Sequence, residues 1–279
     1  VALFVLAGGL SILETSANPY VMGMGTQQGA TRRLNLAQSF NPVGTNIGVF
    51  LAATLILPKL NTATSGERTN MNSEQLTSII SAELDAVMVP YVGMACVLVF
   101  IWLAIAFTKT PNFCKQKKVS KHVEFSATFK RLFKNSHYRF GVIAQFFNVA
   151  AQTCVWTFTI QYVMEALDTN EVTGGSILQY SMITFLVSRF VMTWLMGFIR
   201  PAKLLMATSI IAMLLCFYMV KMPNISGVWA LVSISACLSL MFPTIYGIAL
   251  DGLSEEDSAL GAAGLVMAIV GGALMPILQ

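Results

Sequence analysis

Residues 1–20 read V-A-L-F-V-L-A-G-G-L-S-I-L-E-T-S-A-N-P-Y. The run is apolar for long enough to cross a hydrocarbon core about 30 Å thick, yet it holds Glu14 deep inside it. An ionised carboxylate at that depth costs about 2.5–3.5 kcal/mol on insertion scales. Such a residue must line a polar cavity, take up a proton, or pair with a cation on another span. A Glu that exchanges its proton as the cavity opens to each side would be a coupling site, and this is the reading favoured here for Glu14. Asn18 lies four residues on and shares its face. Pro19 follows and is expected to bend or unwind the helix, as happens where transporter helices line a cavity.

The rest of the chain repeats the pattern. Of its 279 residues, 56% are hydrophobic and 11% charged, with a mean hydropathy of +0.69. Soluble domains carry about 25% charged residues, so most of this chain does not face water. Apolar runs recur near 1–24, 34–58, 86–108, 138–163, 174–198, 203–221, 226–249 and 257–279, which predicts eight membrane-spanning helices. A helix is required because every backbone polar group must be satisfied internally. Val1 opens within one run and Gln279 closes in another, with no initial Met, so the chain reads as a fragment.

Charge sets the expected orientation. Arg32 and Arg33, a long basic loop from Lys109 to Arg139, and the Arg200–Lys203 turn alternate with loops holding only Lys59, Arg68 and Lys221. The positive-inside rule places the basic set in the cytoplasm. The first span then runs inward, which requires an odd number of spans upstream. The basic loop reads as a solvated segment between two halves. In the loop at 59–85, Leu76, Ile79, Ile80 and Leu84 recur at helical spacing after Asn72 and Gln75, which predicts a separate small helix on the outer face, opened by a capping box.

Two further spans carry polar stripes. Gln38, Asn41 and Thr45 recur at spacings of three and four, interrupted by Pro42. Amides offer both donors and acceptors, as sugar hydroxyls require, although amides also join membrane helices to one another. Gln145, Asn148, Gln152 and Trp156 form a longer stripe, in which the indole could cover the apolar face of a pyranose. Arg189 is a cation within a span, expected to pair with an acid such as Glu14 or to snorkel to the inner surface, with a structural or gating role. Pro243 predicts a bend that turns Tyr246 toward the cavity. The five cysteines lack paired spacing and read as small buried thiols. No nucleotide loop, metal-ligand spacing or nucleophile elbow is present, so no enzyme, metal or cofactor is expected.

These residues also resemble a known family. Leu13–Val21 (L-E-T-S-A-N-P-Y-V), Arg33–Asn41 (R-L-N-L-A-Q-S-F-N), Ala144–Trp156, Ser188–Leu195 and Leu240–Leu250 resemble, in order, helices four, five, seven, eight and ten of the L-fucose:proton symporter family of the major facilitator superfamily. The resemblance implies an all-α membrane protein with two six-helix halves, of which about eight of twelve helices are here: residues 1–108 as the last three helices of the first half, 109–137 as the central cytoplasmic loop, and 138–279 as the first five helices of the second. It implies proton coupling at Glu14 and sugar contact at Asn41, with Gln38, Gln145, Asn148, Gln152 and Trp156 as further substrate-binding candidates and Asn18, Arg189 and Tyr246 as gating or ion-pairing candidates. It also implies a substrate-binding acid in a first helix that this chain lacks. The expected activity is import of L-fucose or a related hexose across the cytoplasmic (inner) membrane by alternating access. The partners would be a monosaccharide, a proton and the lipid bilayer, with no nucleic acid, and the protein a monomer. The alternatives are a sodium-coupled glucose/galactose or N-acetylglucosamine permease and, further off, a drug efflux carrier, whose cavity should be aromatic rather than amide-lined.

Overall fold

The computed structural model describes residues 2–59, 72–108 and 125–279. In chain order the helices are α1 (Ala2–Gly23), α2 (Ala30–Gln38), α3 (Asn41–Leu51), α4 (Ser73–Phe107), α5 (Phe125–Lys134), α6 (Ser136–Leu167), α7 (Glu171–Leu195), α8 (Pro201–Lys221), α9 (Ile225–Leu238), α10 (Met241–Leu250), α11 (Glu255–Met267) and α12 (Gly271–Leu278). Short 3-10 or π turns adjoin α2, α3 and α12, and there is no strand among the described residues. All eight expected spans are helical rods: α1, α2–α3, α4, α6, α7, α8, α9–α10 and α11–α12. Six of these are long and apolar enough to cross a membrane by composition. The other two, α1 and α6, have 22 and 32 residues. Glu14 and Asn18 in α1, and Gln145, Asn148 and Gln152 in α6, lower their hydropathy.

Helix starts are set locally by side-chain caps. Asn135 accepts from the amides of His137 and Tyr138 at 3.0 and 3.3 Å, opening α6. Asn170 opens α7 through the Thr173 amide at 3.1 Å, and Ser254 opens α11 through Asp257 at 3.2 Å. Asn224 opens α9 through the amides of Ser226 and Gly227 at 3.0 and 3.2 Å. At the end of α6, Asp168 takes a left-handed conformation with φ 49° and the chain reverses.

The chain divides into two compact units, residues 1–42 with 113–279 and residues 43–112. In the larger unit α6 is central, packing against α7, α9, α10 and α12. One apolar core joins Leu34 of α2, Leu132 of α5, Tyr138 of α6, Tyr246 and Leu250 of α10, and Leu265 of α11. A second joins Phe185, Ala212, Ile234, Met241 and Ile245. Outward-facing Phe147, Trp194 and Phe217 are exposed, as a bilayer-facing surface requires. In the smaller unit, α4 packs against the π and 3-10 turns that follow α3.

Four expectations change in whole or in part. The outer-loop helix is not separate: it is the first part of α4, a continuous helix of 35 residues. Asn72 caps it, but through the Ser73 amide at 2.8 Å. Nothing between Ala82 and Ala86 breaks a helix, because Glu83 and Asp85 add polarity without removing a backbone donor. Pro19 does not unwind α1, which continues past it to Gly23. The basic segment is not solvated loop throughout, since Phe125–Lys134 is helical and buries Thr128 and Leu132. Residues 109–124 of that segment, with Cys114 and His122, lie outside the described residues, as does Arg68. Of the described cysteines only Cys237 is fully buried, while Cys96 and Cys216 are exposed on apolar helices.

Candidate functional site

Two spans are interrupted by turns shortly before a proline. The α2–α3 span breaks at Ser39–Phe40 before Pro42, and the α9–α10 span breaks at Ser239–Leu240 before Pro243. A proline has no N–H, so it frees the carbonyl four residues earlier. Those carbonyls belong to Gln38 and Ser239. Arg189, on α7, donates to both: Nε to Ser239 O at 2.7 Å and Nη1 to Gln38 O at 2.8 Å. Its guanidinium also stands 5.1 Å from the Phe185 ring centre, and the residue is 5% exposed. Arg189 therefore neither snorkels nor forms an ion pair with Glu14 among the described residues. It satisfies two orphaned backbone acceptors, a use that buried guanidinium geometry suits well.

On α1, Asn18 is 5% exposed and accepts from Gln38 Nε2 at 2.8 Å. Its own Nδ2 is buried without a protein partner. Glu14 is half-buried one turn away, and no hydrogen bond joins its carboxyl to another side chain among the described residues. Tyr246, at 0% exposure on α10, sits beside Asn18 and within electrostatic reach of Glu14. Its hydroxyl faces Asn18 but closes no hydrogen bond of ordinary length among the described residues. Glu14, Asn18, Gln38 and Tyr246 are thus brought together by α1, α2 and α10.

On α6, Gln145 is 0% and Asn148 7% exposed, and both ends of both amides lack protein partners. Gly141, one turn before Gln145, lies against Ala249 of α10. The two helices run antiparallel in sequence order, so Gln145 falls level with Ile245–Tyr246. Gln152 and Trp156 are half-buried further along the same face. The Trp156 indole donates to Ser235 Oγ at 3.4 Å and meets the Phe185 ring edge-on at 5.0 Å. Phe185 thereby touches both Trp156 and Arg189. Asn41 opens α3, one residue past the α2–α3 break, and is exposed.

The structure adds residues that the sequence reading missed. Ser39 Oγ lies 3.3 Å from Thr193 Oγ1, and Thr244 Oγ1 donates to Asn35 Oδ1 at 3.4 Å. Phe40 meets Phe190 edge-on at 5.7 Å. A Cβ at Gly247 would stand 2.8 Å from the Thr31 hydroxyl, so α2 and α10 approach closely there. Nearer the loops, Gln27 Nε2 donates to Asp251 at 3.1 Å. The signal in sequence is faint: small residues on one face of α2 and α10, which is where membrane helices pack closely.

No family model matches the chain. The whole chain is 41% identical to a Haemophilus influenzae protein named L-fucose-proton symporter and covers 65% of it. The crystal structure of the Escherichia coli fucose:proton symporter is similar with a TM-score of 0.90 and 33% identity, over 99% of this chain and 68% of that one. A crystal structure of a major facilitator superfamily transporter in the outward conformation gives the same score and identity, over 99% of this chain and 67% of that one.

Proposed function

We propose that this chain, which belongs to the L-fucose:proton symporter family of the major facilitator superfamily, carries most of a proton-coupled sugar symporter that imports L-fucose or a related hexose by alternating access. It is a multi-pass protein of the inner membrane. The observation that carries the proposal is the set of buried polar atoms without protein partners on Gln145, Asn148, Asn18 and Tyr246, beside the half-buried Glu14. Buried polar groups are almost always hydrogen-bonded. Asn18 and Tyr246 adjoin the carboxyl and Gln145 falls level with Tyr246, and a monosaccharide offers the donors and acceptors that such groups need.

In this reading, Glu14 takes a proton from the outer side and releases it inward. Gln38, Asn41, Gln145, Asn148 and Gln152 bond sugar hydroxyls, and Trp156 covers an apolar sugar face. Tyr246 and Asn18 link the carboxyl to the amides. Residues 1–108 and 138–279 belong to the two halves, so Arg189 joins them: it sits in the second half and bonds Gln38 in the first. The likeness to an outward conformation supports assigning the present arrangement to the outward-facing state. The α2 contacts with α7 and α10 would then part when the inner side opens, and Arg189 would release Gln38.

The test uses the complete protein in proteoliposomes. Glu14→Gln is expected to lose sugar accumulation driven by a proton gradient while keeping sugar-for-sugar exchange. Accumulation that survives in Glu14→Gln would remove the coupling role. Replacing sodium with choline is expected to leave uptake by the unmodified protein unchanged. A loss there would favour the sodium-coupled alternative.

A further inference from the structure

Helix α5 presents a feature that solute transport does not use. Its sequence, F-S-A-T-F-K-R-L-F-K, places Phe125, Phe129 and Phe133 four residues apart. The rings stack in a ladder, with centroids 6.4 Å apart for the first pair and 5.8 Å for the second. They remain 64%, 52% and 62% exposed. The neighbouring strip of the helix is already occupied: Thr128 and Leu132 are buried, and Leu132 joins the core of Tyr138 and Leu265. Arg131 bonds Asp257 of α11 at 2.8 Å. The rotation of α5 is therefore fixed, and the ladder faces away from the bundle.

Lys130 and Lys134 follow the ladder around the helix, and both are exposed. One residue, Asn135, separates α5 from the membrane-spanning α6, so α5 cannot stand far from the bilayer surface. Beyond the junction, Arg139 stands 5.9 Å from the ring centre of the exposed Phe140. An aromatic strip beside lysines on a short amphipathic helix is the pattern of a segment lying in a membrane interface. Anionic headgroups concentrate lysine at the cytoplasmic leaflet, the side to which the basic loops assign α5.

We propose that α5 lies in the plane of the cytoplasmic leaflet, with the Phe125–Phe129–Phe133 ladder at the acyl boundary and Lys130 and Lys134 on the headgroups of anionic phospholipid. The partner is a lipid surface, and the proposal does not depend on which solute is carried.

The complete protein, with its native cysteines replaced by serine, is labelled with a nitroxide at Phe129→Cys or, as the control, at Lys130→Cys. It is reconstituted into phosphatidylcholine vesicles containing phosphatidylglycerol. Spin relaxation is expected to show the label at 129 open to oxygen and shielded from a water-soluble nickel complex, with the reverse at 130. A label at 129 open to the nickel complex overturns the proposal, because the ladder then faces water. A label at 129 closed to both reagents also overturns it, because a protein surface then covers the ladder. The charge arm uses Lys130→Gln/Lys134→Gln in detergent. The ratio of co-purified phosphatidylglycerol to phosphatidylcholine is expected to fall by about fivefold or more, the factor for one lysine at an anionic surface. An unchanged ratio overturns the headgroup contact.

Discussion

Arg189 Nη1 lies 2.8 Å from the carbonyl oxygen of Gln38, the acceptor that Pro42 leaves without its helical donor. The same guanidinium closes the equivalent gap at Ser239, 2.7 Å away, ahead of Pro243. Two proline breaks in two different spans therefore share one cation. Hydrogen bonds from charged donors contribute about 1.5–3 kcal/mol each, and a buried guanidinium without partners would be costly. The breaks and the arginine are consequently one structural unit. Because one carbonyl lies in each proposed half, the unit also spans the line along which the halves would separate.

A double-mutant cycle tests that unit. Arg189→Gln is expected to lower the stability of the complete protein by about 3 kcal/mol in detergent unfolding. Pro243→Ala restores the amide that can reach Ser239 O, so the cost of Arg189→Gln should shrink by about 1 kcal/mol or more in that background. Strict additivity would show that Arg189 does not act through the freed carbonyl. Arg189→Lys should recover little, because one ammonium lacks the planar fork that reaches both acceptors.

The orphaned amides of α6 make the opposite kind of prediction. Gln145→Leu and Asn148→Leu break no protein hydrogen bond, so unfolding measurements should show a change within about 1 kcal/mol or a gain. Sugar binding should weaken by about tenfold for each, corresponding to a lost hydroxyl contact of roughly 1.4 kcal/mol. A large loss of stability with unchanged sugar affinity would identify these amides as structural.

Tyr246→Phe removes a buried hydroxyl that closes no hydrogen bond of ordinary length, and stability should hold or rise. If the phenol helps link Glu14 to the amide cluster, the variant should transport fewer protons per sugar or leak sugar downhill. Simultaneous measurement of proton and sugar uptake checks this. An unaltered ratio would confine Tyr246 to packing.

Close approach in the larger unit gives a test of packing alone. A Cβ at Gly271 would run into the backbone carbonyl of Phe146 on α6, and a backbone atom cannot rotate aside. Gly271→Ala is expected to cost about 1–3 kcal/mol by overpacking. Gly175, whose surroundings are open, should accept alanine without such a loss, as thermal unfolding of both variants would show.

The number of spans, their order and the acid within the first were legible in the chain, because the bilayer demands long apolar helices and makes each buried polar residue conspicuous. The spacing of Gln145, Asn148, Gln152 and Trp156 was legible for the same reason, since it runs along one continuous helix, whereas the break at Ser39–Phe40 separates Gln38 from the exposed Asn41. Periodicity does not say which face meets which neighbour. It gave Arg189 a choice of Glu14 or the membrane surface, and the fold supplied two carbonyls instead. The prolines were visible at 42 and 243, but a freed carbonyl has no letter in the sequence. Its partner comes from another helix, selected by packing of the whole bundle. The α5 segment shows the same limit, as its charges suggested solvated loop until burial of Leu132 fixed the helix and turned its phenylalanines outward. Composition and spacing thus determined the spans and their polar faces, which depend on local geometry and the solvent. The pairing of those faces was decided only by tertiary contacts between residues far apart in the chain.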